Sequence, residues 1–307
     1  MVKHYYNFNI QKKHKGSIVL IGNFDGLHQG HQKLFKLAQS YKKKYNLKIG
    51  VINFDPMPKM FFNKELKNFR LSNIEQKIKL LSKFKVDFVI TKKFDKQFSK
   101  TKALNFVIDI LNKKLNSKFI FVSNNFRFGN NREGNVNLLI ENEEIYNYKV
   151  VKPKPLTKDK KIVSSSLIRN LLENGFLEKA NKLLDRNWTI EGIVQKGRQV
   201  GKKIGFPTCN LDIQDYVLAK PGVYAVKVLR KNNTKYLRGI ANLGFRPTFN
   251  QKKILLEVHL FNFSGNLYNK YLTVNFLKFI RSERKFKNIK QLRKQIKIDL
   301  KKAKNIK

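Results

Sequence analysis

Two kinds of periodicity divide the chain. From Ser17 to about Val151, short β-branched and aromatic runs alternate with segments in which apolar residues recur every three or four positions. That is the pattern of a parallel sheet covered by helices. SIVLIG (Ser17–Gly22), KIGVINF (Lys48–Phe54), DFVIT (Asp87–Thr91) and KFIFVS (Lys118–Ser123) read as buried strands. Leu34, Leu37, Ala38 and Tyr41 share one helical face, as do Ile74, Ile78 and Leu81. Two more helices are expected near Ser165–Asn174 and Leu177–Leu184. After LLDRNW the texture changes to strands punctuated by Gly, Pro and Asn, clearest in GVYAVKVLR, LLEVHLFNF and YLTVNFLKF. This predicts an antiparallel β domain, a closed barrel. Ile289, Leu292, Ile296 and Leu300 then form the apolar stripe of a final helix. The expected fold class is α/β followed by β, with domains 1–185 and 186–307.

Composition changes this picture little. The chain has 307 residues, enough for two cores. The net charge of +44 suggests a polyanionic partner, but Lys and Arg are spread over the whole length among abundant Asn, Ile and Phe, as codon bias in an AT-rich genome produces. Aromatic residues do not interleave with them in a recognisable nucleic-acid module, so no specific nucleic-acid partner is expected. The field still favours phosphate-bearing ligands. Cys209 is the only cysteine, which excludes an internal disulfide and a cysteine metal cluster and fits a reducing compartment. The first residues are charged where a signal peptide would be apolar, and no apolar run of about 18 residues occurs, so a cytoplasmic protein without a membrane partner is expected.

The chemistry concentrates at IGNFDGLHQGHQKLF, Ile21–Phe35. A strand ending in Gly22, a turn through Asp25–Gly26 and a helix beginning near Gln29 put His28 and His31 at a helix N-terminus. Backbone N–H groups without intrahelical acceptors and the positive end of the helix dipole favour phosphate there. Two imidazoles three residues apart could grip a phosphoryl group and donate hydrogen bonds as charge builds on its oxygens. Gly22, Gly26 and Gly30 would allow close approach of a ligand to the backbone. A zinc site is the rival reading, but it needs at least one more protein ligand, and Cys209 and His259 lie in the other domain.

GNFDGLHQGH resembles the G-x-F-D-G-x-H-x-G-H signature of bacterial bifunctional riboflavin kinase/FAD synthetases. NFDPMP (Asn53–Pro58) is similar to the family's T-F-x-P-x-P, with Asn53 for Thr and Met57 where His is common. VSNNFRFGNNREG (Val122–Gly134) is similar to V-G-x-[DN]-F-x-F-G, with Ser123 for Gly, and VSSSLIRNLLENG (Val163–Gly175) to S-S-T-x-I-R, with Ser166 for Thr. The resemblance implies a Rossmann-like nucleotidyltransferase domain in which His28, His31, Asn125 and Arg169 are catalytic. Gly22, Phe24, Asp25, Gly30, Ser164, Ser165 and Ser166 would bind nucleotide, and Phe54, Pro56, Pro58, Asn125, Phe126 and Phe128 flavin. Read alone, one of the serines could simply cap the helix that follows, and the two phenylalanines could be core.

GIVQKGRQVGKKIGFPTCNL, Gly192–Leu211, is glycine-rich and basic, but it is not a P-loop: Gly197 and Gly201 are four apart, Lys202 precedes Lys203, and the context is β. It resembles the riboflavin kinase segment ending in G-F-P-T-A-N, with Cys209 for Ala. The resemblance assigns Gly197, Gly201, Lys202, Gly205 and Pro207 to nucleotide and Thr208 and Asn210 to magnesium, which prefers hard oxygen ligands. PGVYAV, GIANLGFRPTF, LEVHLFNFSGNLYNK and FLKFIRSERKF follow in family order, with Asn266 and Asn269 replacing Asp and Gly. Glu257 matches the glutamate taken as general base, and in an alternating strand it shares a face with His259. Arg281, Glu283 and Phe286 match the part that lies over the flavin. Riboflavin, FMN and ATP are the implied partners, with Mg2+ as cofactor. A nucleotidyltransferase for another phosphorylated small molecule is the alternative.

Overall fold

The computed structural model describes residues 2–197, 199–213, 215–247 and 252–306. Arg198 in the glycine-rich segment, and Thr248 and Phe249 in GIANLGFRPTF, lie outside the described residues. The chain divides into two compact units, Met1–Lys67 with Ile74–Ser164, and Asn68–Asn73 with Ser165–Lys307.

The first unit is built on six parallel strands: β1 (Lys3–Tyr5), β2 (Ile18–Ile21), β3 (Ile49–Asp55), β4 (Phe88–Lys93), β5 (Phe119–Phe121) and β6 (Lys149–Val151), in the order β1-β4-β3-β2-β5-β6. The four predicted strands are its centre, buried on both faces, which is why they read as continuous apolar runs. Helix α1 (Gln29–Tyr45) inserts Phe35 and Ala38 against Ile18, Leu20, Ile49 and Val51 on one face. On the other face Val19, Ile21, Ile52 and Ile90 meet a helix that is α-helical over Ala103–Asn105 and π-helical over Phe106–Lys114. Strand order reverses at β2, whose neighbours are β3 on one side and β5 on the other. The loops leaving the carboxyl ends of β2 and β5 therefore flank the topological switch point, where open α/β sheets bind ligands. They are the loops that carry GNFDGLHQGH and VSNNFRFG. Helix α2 (Ile74–Ser82) packs against the turn at Asp25–Leu27.

The second unit is a closed barrel of six strands, β7 (Thr189–Gln195), β8 (Cys209–Asp212), β9 (Gly222–Arg230), β10 (Leu237–Pro247), β11 (Lys252–Leu260) and β12 (Tyr271–Ser282). They run β7-β8-β11-β10-β9-β12, every described pairing antiparallel. Closure removes the exposed edges that an open antiparallel sheet must protect. Trp188, Leu211, Tyr224, Val258, Leu272 and Phe276 fill one core. Helices α3 (Ser165–Glu173) and α4 (Leu177–Leu184) add Ile168, Leu172, Leu177 and Leu184 to that core. By contacts, then, residues from Ser165 onward pack with the barrel, although the expected domain division falls at 185. The final helix α5 (Ile289–Lys304) buries Ala303 beside Val223 and Ile240, with Leu300 partly buried against them. Ile289, predicted as part of its apolar stripe, sits at the first turn and is 62 % exposed.

Candidate active sites

In the first unit, β2 leads into three left-handed residues, Phe24 (φ 46°), Gly26 (φ 74°) and Leu27 (φ 41°). This turn ends at His28, which caps α1: its Nδ1 accepts from the His31 N–H at 3.4 Å. Accepting at Nδ1 leaves the proton of the neutral ring on Nε2, so His28 presents an Nε2–H donor. The two imidazoles stack with centroids 3.7 Å apart. His31 Nδ1 is enclosed and has no hydrogen-bond partner. Burial first, then His28, then Lys77 hold the His31 pKa well below its ordinary value, so the ring is neutral at pH 7. Neutral imidazoles donate to phosphate oxygens without the desolvation cost of a buried imidazolium.

Lys77 of α2 was not among the expected site residues. It is only 1 % exposed and close enough to act on His31. Its spacing was a usable signal, because residue 77 lies three and four positions from Ile74 and Leu81 and shares their face. Gly22 and Gly30 also stand against aromatic rings. A Cβ on Gly22 would press on the Phe24 ring at 3.2 Å, and one on Gly30 would meet the Val163 carbonyl at 3.0 Å and the His28 ring at 3.1 Å. They admit the rings that shape the loop. Asp25 is buried at 3 % exposure in the turn.

Asn125 is exposed after β5, and its Oδ1 accepts from Ser123 Oγ at 3.0 Å. The Ser-for-Gly departure thus orients the amide and turns its Nδ2 donor to other use. Phe126 and Phe128 stack at 5.3 Å, and Phe54 packs on Phe98 at 5.6 Å; Phe128 is buried against Phe106. Phe54 and Phe126 pack against the same core cluster as Phe128. Pro56 and Pro58 flank Met57, which is buried at 2 % exposure. Asn53, standing for Thr, is 1 % exposed at the carboxyl end of β3, and neither of its amide atoms has a partner.

Ser164 belongs to the first unit; Ser165, Ser166 and Arg169 belong to the second. Arg169 is buried there, donating from Nε to the Phe69 carbonyl at 2.7 Å with its guanidinium 3.7 Å above the Phe69 ring.

The face of the barrel strands opposite the barrel core lines, together with α5, a cavity of about 780 Å³. The strand register lays one row of residues across it: Asn210 on β8 opposes Glu257 on β11, Glu257 opposes Asn242 on β10, Asn242 opposes Val223 on β9, and Val223 opposes Arg281 on β12. All five line the cavity. The alternation places Glu257 and His259 in it, while Leu256, Val258 and Leu260 enter the core. The Glu257 carboxylate makes no hydrogen bond or ion pair with any described residue, as a group awaiting a ligand proton would. His259 Nδ1 donates to the Pro207 carbonyl at 2.8 Å, which ties β11 to the Pro207–Thr208 turn.

Gly197, Gly201 and Thr208 also line the cavity. A Cβ on Gly197 would overlap the Asn210 amide, and one on Gly201 would overlap the Phe206 carbonyl. Gly205 has φ 86° and open space around it, the backbone conformation glycine favours. Lys202 ends its turn as part of a short helix, Val200–Lys203. Asn210 is 6 % exposed, and its Oδ1 has no partner. With the Thr208 hydroxyl it offers neutral hard oxygens, a donor set that suits magnesium and its retained waters. Among the described residues no group of three or more His, Cys, Asp or Glu could hold a metal, so the zinc alternative finds no support.

Cys209 is buried, which pushes its thiol up to about 12 and leaves it a small core residue. Asn266 Oδ1 accepts from the Tyr268 N–H at 2.9 Å, and Asn269 holds φ 61°. Both substitutions suit the turn, since Asn makes Asx turns and tolerates left-handed backbone.

An α/β unit with two imidazoles at a helix N-terminus, followed by a barrel with a carboxylate-lined cavity on its face, fits a two-domain nucleotidyl- and phosphoryl-transferase class. A family profile described as FAD synthetase matches residues 10–167 and one described as riboflavin kinase matches residues 184–307. Bifunctional riboflavin kinase/FMN adenylyltransferases are similar over nearly the whole chain. The one from Buchnera aphidicola (subsp. Schizaphis graminum) is 41 % identical, over 95 % of this chain and 94 % of that protein; the one from Haemophilus influenzae is 37 % identical over 96 % of each. A crystal structure described as a macrolide-efflux protein from Streptococcus pneumoniae superposes with a TM-score of 0.87 at 28 % identity, over 100 % of this chain and 99 % of that one. Among the described residues no helix is long and apolar enough to cross a membrane. The chain belongs to the bifunctional riboflavin kinase/FMN adenylyltransferase family.

Proposed function

We propose that residues 186–307 phosphorylate riboflavin to FMN and that residues 1–185 adenylylate FMN to FAD, both at the expense of ATP. The observation that carries this reading is the coexistence, in one chain, of a neutral imidazole pair at a sheet switch point and, in a cavity on the barrel face, a carboxylate that is unpartnered among the described residues. Primary-alcohol phosphorylation needs a base, and adenylyl transfer from ATP to an ionised phosphate nucleophile does not.

In the kinase step Glu257 accepts the proton of the ribityl hydroxyl, the oxygen attacks the γ-phosphorus of ATP, and ADP leaves. Thr208 and Asn210 would hold Mg2+, which neutralises phosphate charge when bound. Gly197, Gly201, Lys202, Gly205 and Pro207 form the nucleotide side, and Arg281, Glu283 and Phe286 the flavin side. In the second step the FMN phosphate attacks the α-phosphorus and pyrophosphate leaves. His28 and His31 donate to the oxygens on which charge builds, and Asn125 Nδ2 is a further donor of the same unit. Gly22, Phe24, Asp25, Gly30 and Ser164 shape the nucleotide site of the first unit. Phe54, Pro56, Pro58, Phe126 and Phe128 offer flat apolar surface to the flavin.

The test is to incubate the purified chain with riboflavin, ATP and magnesium and separate the flavins chromatographically. FAD is the expected product. FMN alone would remove the adenylyltransferase assignment, and unchanged riboflavin together with unchanged FMN in a second incubation would remove both.

A further inference from the structure

Helix α5 carries seven Lys or Arg between residues 289 and 304 and a single acidic residue, Asp299. That carboxylate is 1 % exposed. Its Oδ2 accepts a hydrogen bond from Arg281 Nε of β12 at 2.9 Å and lies 2.8 Å from Nη2 in an ion pair, and its Oδ1 accepts from Gln295 Nε2 at 2.7 Å. Both oxygens of this buried carboxylate have partners, which is the condition under which a buried pair persists. Arg281 Nη1 also donates to the Ser282 carbonyl at 2.9 Å. Hydrogen bonds thus commit the Nε–H and one Nη1–H of the guanidinium, and the ion pair holds Nη2 against the carboxylate.

The pair does not stand apart from the cavity. Arg281 and Asp299 line it together with Leu292 and Ile296 of the same helix and Phe286, over whose ring the Arg281 guanidinium lies at 5.9 Å. Arg281 is also the last member of the row that begins at Asn210 and passes through Glu257. The helix face with Leu292, Ile296 and Asp299 is thus a wall of the flavin side, pinned to β12 through one ion pair.

We infer that Asp299 is a positioning residue for riboflavin: it locks the Arg281 plane and the start of the Glu283–Phe286 segment against α5, presenting a flat, charge-compensated donor to the uncharged heterocycle. The inference rests on the kinase reading above. Because Asp299 acts on the flavin side and Glu257, Thr208 and Asn210 on the phosphate side, its loss acts on riboflavin binding and spares ATP binding and the chemical step.

The experiment uses the full chain and the variants Asp299→Asn and Asp299→Glu. It reads kcat, KM for riboflavin and for ATP, quenching of riboflavin fluorescence without ATP, the melting temperature, and FMN adenylylation. Asp299→Asn should raise KM and Kd for riboflavin about tenfold, with kcat and KM for ATP within about twofold and adenylylation unchanged. Asp299→Glu should restore part of the affinity. Should Asp299→Asn fail to fold, Gln295→Leu, which removes only the Oδ1 bond, should still raise the riboflavin KM two- to threefold. Unchanged riboflavin affinity in folded Asp299→Asn, or in Gln295→Leu, would overturn the inference. So would an equal fall in kcat and in both affinities in step with melting temperature, which marks a purely structural pair. A wild-type chain that leaves riboflavin unphosphorylated would instead remove the kinase reading itself.

Discussion

In the proposed reading the two units handle phosphate with different parts of the fold. The first uses the end of a helix and the ends of parallel strands: a capped α1, two stacked neutral imidazoles and the switch-point loops after β2 and β5. The second uses the face of an antiparallel barrel, where register alone aligns Asn210, Glu257, Asn242 and Arg281 across five strands. The difference follows from the nucleophiles. An FMN phosphate is already ionised and needs only donors for the developing charge, which a helix terminus supplies. A ribityl hydroxyl must lose a proton, and a carboxylate on a rigid strand, with no competing partner among the described residues, can take it.

The sharpest way to break that contrast is Glu257→Gln. FMN formation from riboflavin should fall by a factor of 10² to 10⁴, the range for a general base, while FAD formation from supplied FMN stays unchanged. Loss of both in a folded variant would end the division of labour. The reciprocal variant, His31→Ala, should lower adenylylation by roughly 10² to 10³ and leave the kinase untouched, as deletion of one preorganised donor does. Chromatographic flavin assays on the same preparations read both.

A smaller effect is expected from Gly197→Ala. The added methyl displaces the Asn210 amide, so the magnesium concentration for half-maximal kinase activity should rise, which a titration of FMN formation against magnesium measures. Acid should separate the units as well. His31 has its folded pKa depressed, so the unfolded state binds the extra proton and stability falls as pH drops from about 6.5 through the lowered value, by up to about 1.4 kcal/mol for each pH unit. His4 and His14 of the same unit, also lowered by burial, push the same way. Melting curves between pH 7.5 and about 5 should therefore show the first unit losing stability, with a shallower slope in His31→Gln. The smallest effect belongs to Ser123→Gly, which frees the Asn125 amide and should change adenylylation less than tenfold, since one net hydrogen bond is worth about 1 kcal/mol. A larger change would mean that Asn125 orientation limits the rate.

Much of this was legible in the residues themselves. Central strands and amphipathic helices follow from periodicity because burial on one face or both writes itself into the order of apolar residues. The histidine turn was legible because Gly26 and the helix cap are local features. Strand β1, with the sequence Lys-His-Tyr, and edge strand β6 escaped, since three residues carry no measurable period. The π-helical Phe106–Lys114 segment escaped because its apolar spacing departs from 3.6 residues.

What remained belongs to tertiary structure for a physical reason. The sequence by itself determined which residues could do chemistry, the order of the two domains and the elements that carry them, all set by near-neighbour pattern and backbone preference. Only the folded chain decided that Asn210 and Glu257, 47 residues apart, become direct cross-strand neighbours, that Lys77 is buried close enough to act on His31, and that the one acid of a basic helix compensates Arg281. Register, burial of charge and ion pairing between distant segments depend on which surfaces meet, and no local pattern specifies that.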